Sequence, residues 1–251
     1  MILLKSSREL GHMRAAGRIL AEVKERLKAL VRPGASTKDI DEDIESFIVG
    51  KGAVPAFKGY RGYPATVCTS INNEVVHGIP SAKRKLKDGD IIGLDLGCIV
   101  EGYYGDCAIT LPVGPIPERV QELLDVTRES LDKAIVQCRA GNRIGDISHA
   151  VQTQCESHGF GVVRAFVGHG IGRSLHEEPQ VPNFGEAGRG PLLKAGMVLA
   201  IEPMVTMGSC EVRVLEDGWT AVTADGSLAA HFEDTIAITG NGPEVLTRTA
   251  A

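Results

Sequence analysis

Leu86-Lys87-Asp88-Gly89-Asp90-Ile91-Ile92-Gly93-Leu94-Asp95 and Leu193-Lys194-Ala195-Gly196-Met197-Val198-Leu199-Ala200-Ile201-Glu202 are one pattern written twice, 107 residues apart. The same spacing pairs Gly34 with Gly141, Asp39 with Asp146, Ile40 with Ile147, Ile44 with Val151 and Gly52 with Gly159. This offset predicts a single domain, residues 1–251, built of duplicated halves that divide near residues 112 and 113. Each half reads as a helix, a glycine turn, a second helix and then strands. Leu10, Met13, Leu20, Val23, Leu27 and Leu30 keep one apolar stripe as far as Pro33-Gly34. Ser36 or Thr37 can cap a second helix, in which Ile40, Ile44 and Ile48 recur every fourth residue. Pro117 opens a third helix that runs to the region of Val136, and Asp146 is placed to cap a fourth running to Glu156. The expected class is α/β, with two facing halves and a site in the cleft between them.

Asp95 and Glu202 hold the same place in this repeat, and both end apolar runs that do not alternate. Runs of that kind suggest strands covered on both faces rather than a solvated side. A lone ionised carboxylate in such surroundings would take up a proton, so a paired or metal-bound acid is the better reading. After Asp95 the chain turns at Val100-Glu101-Gly102 and returns through Tyr103-Tyr104-Gly105-Asp106-Cys107, a plausible hairpin. With the turn at Val100-Glu101, Asp95 faces Asp106 directly; with the turn at Glu101-Gly102 the two are diagonal neighbours. Either register puts both acids on one face. Glu233, in His231-Phe232-Glu233-Asp234-Thr235, is another acid entering an apolar strand and reads as the rough counterpart of Asp106. His169 stands among glycines in Gly168-His169-Gly170-Ile171-Gly172, where backbone can approach closely. Asp95, Asp106, His169, Glu202 and Glu233 thus make four carboxylates and one imidazole. A carboxyl pair sharing a proton is one alternative; two divalent cations would balance the four charges. Such an oxygen-rich set suits Mn, Fe or Co, with Zn admitted.

The remaining features exclude more than they assign. The glycines around His169 lack the spacing of a dinucleotide loop, no phosphate-binding P-loop occurs, and no serine or cysteine has the setting of a nucleophile. His77 and His176 each have an ordinary reading as turn or core histidines, but both lie in Gly- and Pro-containing loops of the kind that border catalytic clefts. Phe57, Tyr60, Tyr63, Cys68 and Trp219 read first as core and second as the lining of an apolar pocket. With 27 Lys and Arg against 32 Asp and Glu, the net charge is −5 and no basic tract appears, so direct nucleic-acid binding is not expected. The MILLKSSREL start carries too short an apolar run for a signal-peptide core, and no stretch suits a membrane span. Six cysteines without a C-x-x-C pair point to reduced thiols and a cytoplasmic location.

Gly59-Tyr60-Arg61-Gly62-Tyr63-Pro64, Cys68-Thr69-Ser70-Ile71-Asn72, Val76-His77-Gly78-Ile79-Pro80, Gly168-His169-Gly170-Ile171-Gly172, His176-Glu177-Glu178-Pro179, Ile201-Glu202-Pro203-Met204 and Asp217-Gly218-Trp219-Thr220 together resemble the type I methionine aminopeptidases. The resemblance runs in order from Glu9 to Leu246. It implies the pita-bread fold, in which two pseudo-symmetric halves contribute antiparallel sheet covered by helices. It also implies that acids matching Asp106 and Glu233 bridge two divalent metals, that Asp95 binds one of them, and that His169 and Glu202 bind the other. His77 and His176 match histidines that contact the substrate around the scissile amide, and Glu202 matches an acid assigned to proton transfer. Phe57, Tyr60, Tyr63, Cys68 and Trp219 become the methionine pocket. The implied reaction removes the initiator methionine from nascent polypeptide N-termini when the second residue is small, by metal-activated water. A monomer is expected, and ribosome association is left open. This chain departs from the family at Phe57 and Val76, where Cys is frequent, and at Arg61, where His is frequent. It also has Leu175 in place of a frequent Phe, and Asp234 in place of a frequent His. Prolidases and aminopeptidase P relatives share the ligand set but carry an additional N-terminal domain, and a non-catalytic relative would be expected to have lost ligands.

Overall fold

The first apolar stripe forms α1 (Ser7–Leu30) in a computed structural model that describes residues 1–249. Ser6 and Glu9 cap it reciprocally: the Ser6 hydroxyl accepts the Glu9 N–H, and the Glu9 carboxylate accepts the Ser6 N–H. In α2 (Thr37–Gly50) the Ser36 hydroxyl takes the Asp39 N–H. Next come β1 (Val54–Pro55), β2 (Val67–Ile71), β3 (Glu74–Val76) and the long hairpin of β4 (Ile91–Val100) and β5 (Tyr103–Pro112). In the second half, α3 (Glu118–Val136) starts directly after Pro117. α4 (Ile144–Ser157) starts earlier than Asp146 suggests, because Arg143 holds the N-cap position. Asp146 sits in the first turn and accepts the N–H groups of Arg143 and Gly188. Strands β6 (Gly161–Val162), β7 (Gly168–Gly170), β8 (Glu177–Val181), β9 (Val198–Ile201) and β10 (Met204–Thr206) follow. The chain then forms β11 (Val212–Val214), β12 (Ala221–Thr223), β13 (Ala229–His231), β14 (Asp234–Thr239) and β15 (Gly242–Val245).

β4 pairs antiparallel with β5 along its whole length, and its other edge takes β1 and then β2. A larger antiparallel sheet runs β15-β14-β9-β7-β8. Two small sheets, β13-β10-β6 and β11-β12-β3, complete the architecture. β4 and β9 are covered on both faces, which is why neither alternates in sequence. Ile92, Leu94 and Leu96 pack with Leu20, Leu27, Ile40, Ile44 and Ile48 of α1 and α2. Leu199 and Ile201 pack with Leu123, Leu131, Ile147 and Val151 of α3 and α4. The opposite faces of these two strands are therefore the ones that carry Asp95 and Glu202. The apolar stripe of α1 divides, with Leu10 and Met13 joining a separate cluster that includes Phe57, Tyr63 and Cys68.

The two large sheets meet at one bridge, Ala108 with Glu233, closed by hydrogen bonds of 3.3 Å and 3.0 Å between their backbones. Two threonines flank it. The Thr110 hydroxyl donates to the His231 carbonyl and accepts its N–H, at 2.7 and 2.9 Å. Thr235 does the same to Asp106, at 2.7 and 3.0 Å. All six cysteines are free thiols, five of them buried. Among the described residues no helix is long and apolar enough to cross a membrane.

Candidate active site

The β4–β5 hairpin adopts the second of the two registers, with Asp95 opposite Ala108 and Asp106 opposite Gly97. Glu101 and Gly102 make the turn, both at positive φ (51° and 77°), as a two-residue hairpin with matching twist requires. Asp95 and Asp106 are therefore diagonal neighbours on one face. In the other sheet the ladder ends at Asp234 paired with Ile201, and Glu233 and Glu202 are the next residues beyond that pair. β7 lies beside β9 and supplies His169, paired with Ala200. Donor atoms of Asp106, His169 and Glu233 all lie within 4.8 Å of one another. His169 Nε2 is 3.6 Å from Glu202 Oε1 and 3.8 Å from Asp106 Oδ2.

These acids do not sit as ordinary carboxylates. Burial pushes Asp95 up to about 7. Asp106, Glu202 and Glu233 are also raised, first by burial and then by the charges of the other acids. Asp95 Oδ1, Asp106 Oδ1 and Glu233 Oε1 are buried without a hydrogen-bond partner. Buried oxygens left this way are expensive unless a proton or cation satisfies them. His169 engages its Nδ1–H with the Gly170 carbonyl at 2.9 Å, so its Nε2 lone pair points toward the acids. Burial holds its pKa down at about 4. A neutral imidazole among four carboxylates, three of them with orphaned oxygens, is a donor set that fits divalent cations.

All twelve residues expected at the site line one cavity of about 300 Å³, and Phe57, Tyr63 and Cys68 also belong to a buried apolar cluster. Phe57, Tyr63 and Cys68 are buried in its wall, while Tyr60 and Trp219 are half-buried. Burial and the nearby Asp95 push the Cys68 thiol up, which keeps it a protonated wall group rather than a nucleophile. His77 adopts an unusual left-handed backbone (φ 62°) and packs edge-on between Phe166 and Trp219. Burial lowers its pKa to about 4, with His176 adding to the effect. The His176 Nδ1 lies 2.8 Å from the Tyr60 hydroxyl, and its ring centroid lies 4.3 Å from that of His169. The loop bearing His176 is clamped by Glu177. That carboxylate accepts the N–H groups of Arg173 and Ser174 and pairs with a buried Lys5 at 2.7 Å.

Three further residues border the cavity: Arg61, Leu175 and Phe166. Phe166 has no signal in the sequence that separates it from other apolar residues. His231 is a second residue missed: it is buried, and its Nε2 lies 3.8 Å from Glu202 Oε2 without a hydrogen-bond partner. The threonine stitches also show that Asp106 and His231 hold matching places across the seam, whereas Glu233 matches Ala108. Glu233 and Asp106 are thus two residues out of step in the ladder, on the same face.

Residues 11–240 match the profile of metallopeptidase family M24. Methionine aminopeptidase 1 of Bacillus subtilis is 54% identical over 248 residues, which cover 99% of this chain and 100% of that protein. The crystal structure of methionine aminopeptidase from Thermotoga maritima superposes with a TM-score of 0.98 at 48% identity, covering 99% of this chain and 100% of that one. A prolidase from Pyrococcus horikoshii shares the fold (TM-score 0.80, 24% identity), but the match spans only 65% of its chain. The arrangement of sheets and helices is the pita-bread fold. Matched from end to end at more than half identity, the chain belongs to metallopeptidase family M24, in its methionine aminopeptidase branch.

Proposed function

We propose that the protein is a metal-dependent methionine aminopeptidase that removes the first residue of nascent polypeptides whose second residue is small. The observation that carries this reading is the set of buried, unpartnered carboxylate oxygens beside an apolar pocket walled by aromatic rings. A thioether side chain is long, unbranched and polarizable, and it packs favourably against such rings. Asp95, Asp106, His169, Glu202 and Glu233 would hold two divalent cations. When bound, these would offset the four negative charges, polarise the scissile carbonyl and acidify water. Glu202, whose burial favours protonation, is suited to take the proton from water and pass it to the leaving amine. With Tyr60 donating to its Nδ1, His176 would present Nε2–H to the carbonyl oxygen as negative charge develops there. His77, held neutral and oriented by Phe166 and Trp219, would contact the amide being cleaved.

Purified protein stripped with chelator and reloaded with Co(II) or Mn(II) should release methionine from Met-Gly- and Met-Ala-leading peptides, and far less from Met-Leu- or Met-Lys-leading ones. Asp95→Ala should lose more than about a hundredfold in kcat/KM while remaining folded. No release under any divalent metal, or full activity in Asp95→Ala, would overturn the reading.

A further inference from the structure

We propose that His231 is a positioning residue for Glu202, its ring N–H holding one carboxylate oxygen so that the other stays turned toward His169. The proposal rests on the reading of Glu202 as a metal ligand and proton carrier. Glu202 stands between two imidazoles: Oε1 lies 3.6 Å from His169 Nε2, and Oε2 lies 3.8 Å from His231 Nε2. His169 has its Nδ1–H engaged elsewhere, so it meets the carboxylate with a lone pair. His231 has no such constraint, and its Nε2 is buried with no other partner. A buried polar atom of that kind, aimed at a carboxylate just outside hydrogen-bond range, is explained by the carboxylate. A donor fits better there than a ligand, because His231 is not among the residues that line the cavity, whereas all five candidate ligands are.

Both backbones are also pinned. The Thr110 hydroxyl closes on the N–H and carbonyl of His231, and Asn183 donates to the Glu202 carbonyl at 2.9 Å. His231 mirrors Asp106 across the seam, so the same stitch that fixes a candidate ligand in one half fixes the partner of a candidate ligand in the other. Contacts of this kind behind a metal ligand set its orientation and basicity.

The test is calorimetric titration of Mn(II) into metal-free native protein, His231→Leu and His231→Gln, with melting temperatures of the metal-free forms. His231→Leu should weaken Mn(II) binding about 10- to 100-fold. The metal-free melting temperatures report whether each variant is folded, so that a loss of affinity is not read from a loss of structure. His231→Gln, which returns an N–H donor at the same reach, should restore affinity to within about threefold of native. Native affinity in a folded His231→Leu, or no rescue by a folded His231→Gln, would each overturn the proposal. A native chain that binds no Mn(II) would instead count against the metallopeptidase reading itself.

Discussion

Asp95 shows how far a single side chain can be displaced from its ordinary chemistry. Burial raises its pKa from 3.8 to about 7, so the metal-free folded chain keeps a proton that the unfolded chain has released. A raised acid contributes stability that is fully present below pH 3.8 and is lost as pH climbs through about 7. His77 and His169, lowered to about 4, run the other way: their contribution is present above pH 6.5 and is lost as pH falls through about 4. Asp95→Asn deletes the first of these trends and also relieves Asp106, Glu202 and Glu233 of its charge, which acts in the same direction. Calorimetry on the metal-free forms should show the variant gaining on the native chain as pH rises from about 4 to 7. A difference that stays constant across that window would mean that Asp95 holds no extra proton. The five candidate ligands are legible for the same reason that Asp95 is anomalous, each being a charged or imidazole group in an apolar or glycine-rich run. His77 and His176 instead take their expected roles from the family resemblance. His231 is not legible, since a histidine in Ala229-Ala230-His231-Phe232 has the ordinary reading of a core residue, and its meaning lies in a contact with Glu202 that only the fold creates.

Among the elements, helices and the long hairpin follow from local chemistry: apolar spacing, the Ser6 and Ser36 caps, and a turn at Glu101-Gly102. Alternation along a strand put Asp95 and Asp106 on one face in either register, and the left-handed turn residues decide which register forms. Asp146 resembles an N-cap in sequence because an acid at the third helical position can reach back to the N-cap N–H. The segment around Lys5 shows what sequence alone could not convey, since its partner Glu177 is 172 positions away. Their side chains are only 6% and 8% exposed. Removing one member of a buried pair costs about 3–5 kcal/mol, because it strands the other charge. Lys5→Met should therefore loosen the His176 loop, with amide exchange at Arg173 and Ser174 faster by about a hundredfold or more. Exchange at Ile92 and Leu94 should not change, and Lys5→Arg should restore protection. Unaltered exchange at Arg173 and Ser174 in Lys5→Met would show that the clamp is incidental.

For the molecule as a whole, the repeat supplied the architecture and an insertion obscured its final step. α2 and α4 are each 14 residues long, and their ends stand 107 positions apart, which supports our proposal that the halves are duplicates. By Asp106 and His231 the matching distance has grown to 125, because β11 and β12 intervene and carry Trp219 toward the cavity. That shift is why Glu233 looked like the mate of Asp106. The ligand set draws on both large sheets, so divalent metal should stabilise the whole fold rather than one lobe. At a free metal concentration of 100 times Kd the gain is about 2.7 kcal/mol, which corresponds to a rise in melting temperature of about 5–10 °C. Differential scanning calorimetry with and without chelator checks this, and coincident melts would contradict it. Thr235 gives the seam a further significance. Its hydroxyl grips both the N–H and the carbonyl of Asp106, so the candidate ligand's backbone is anchored by the opposite half of the molecule. A change in how the halves are seated would move the backbone of this candidate ligand, so metal affinity would serve as a strain gauge for the fit of the two halves.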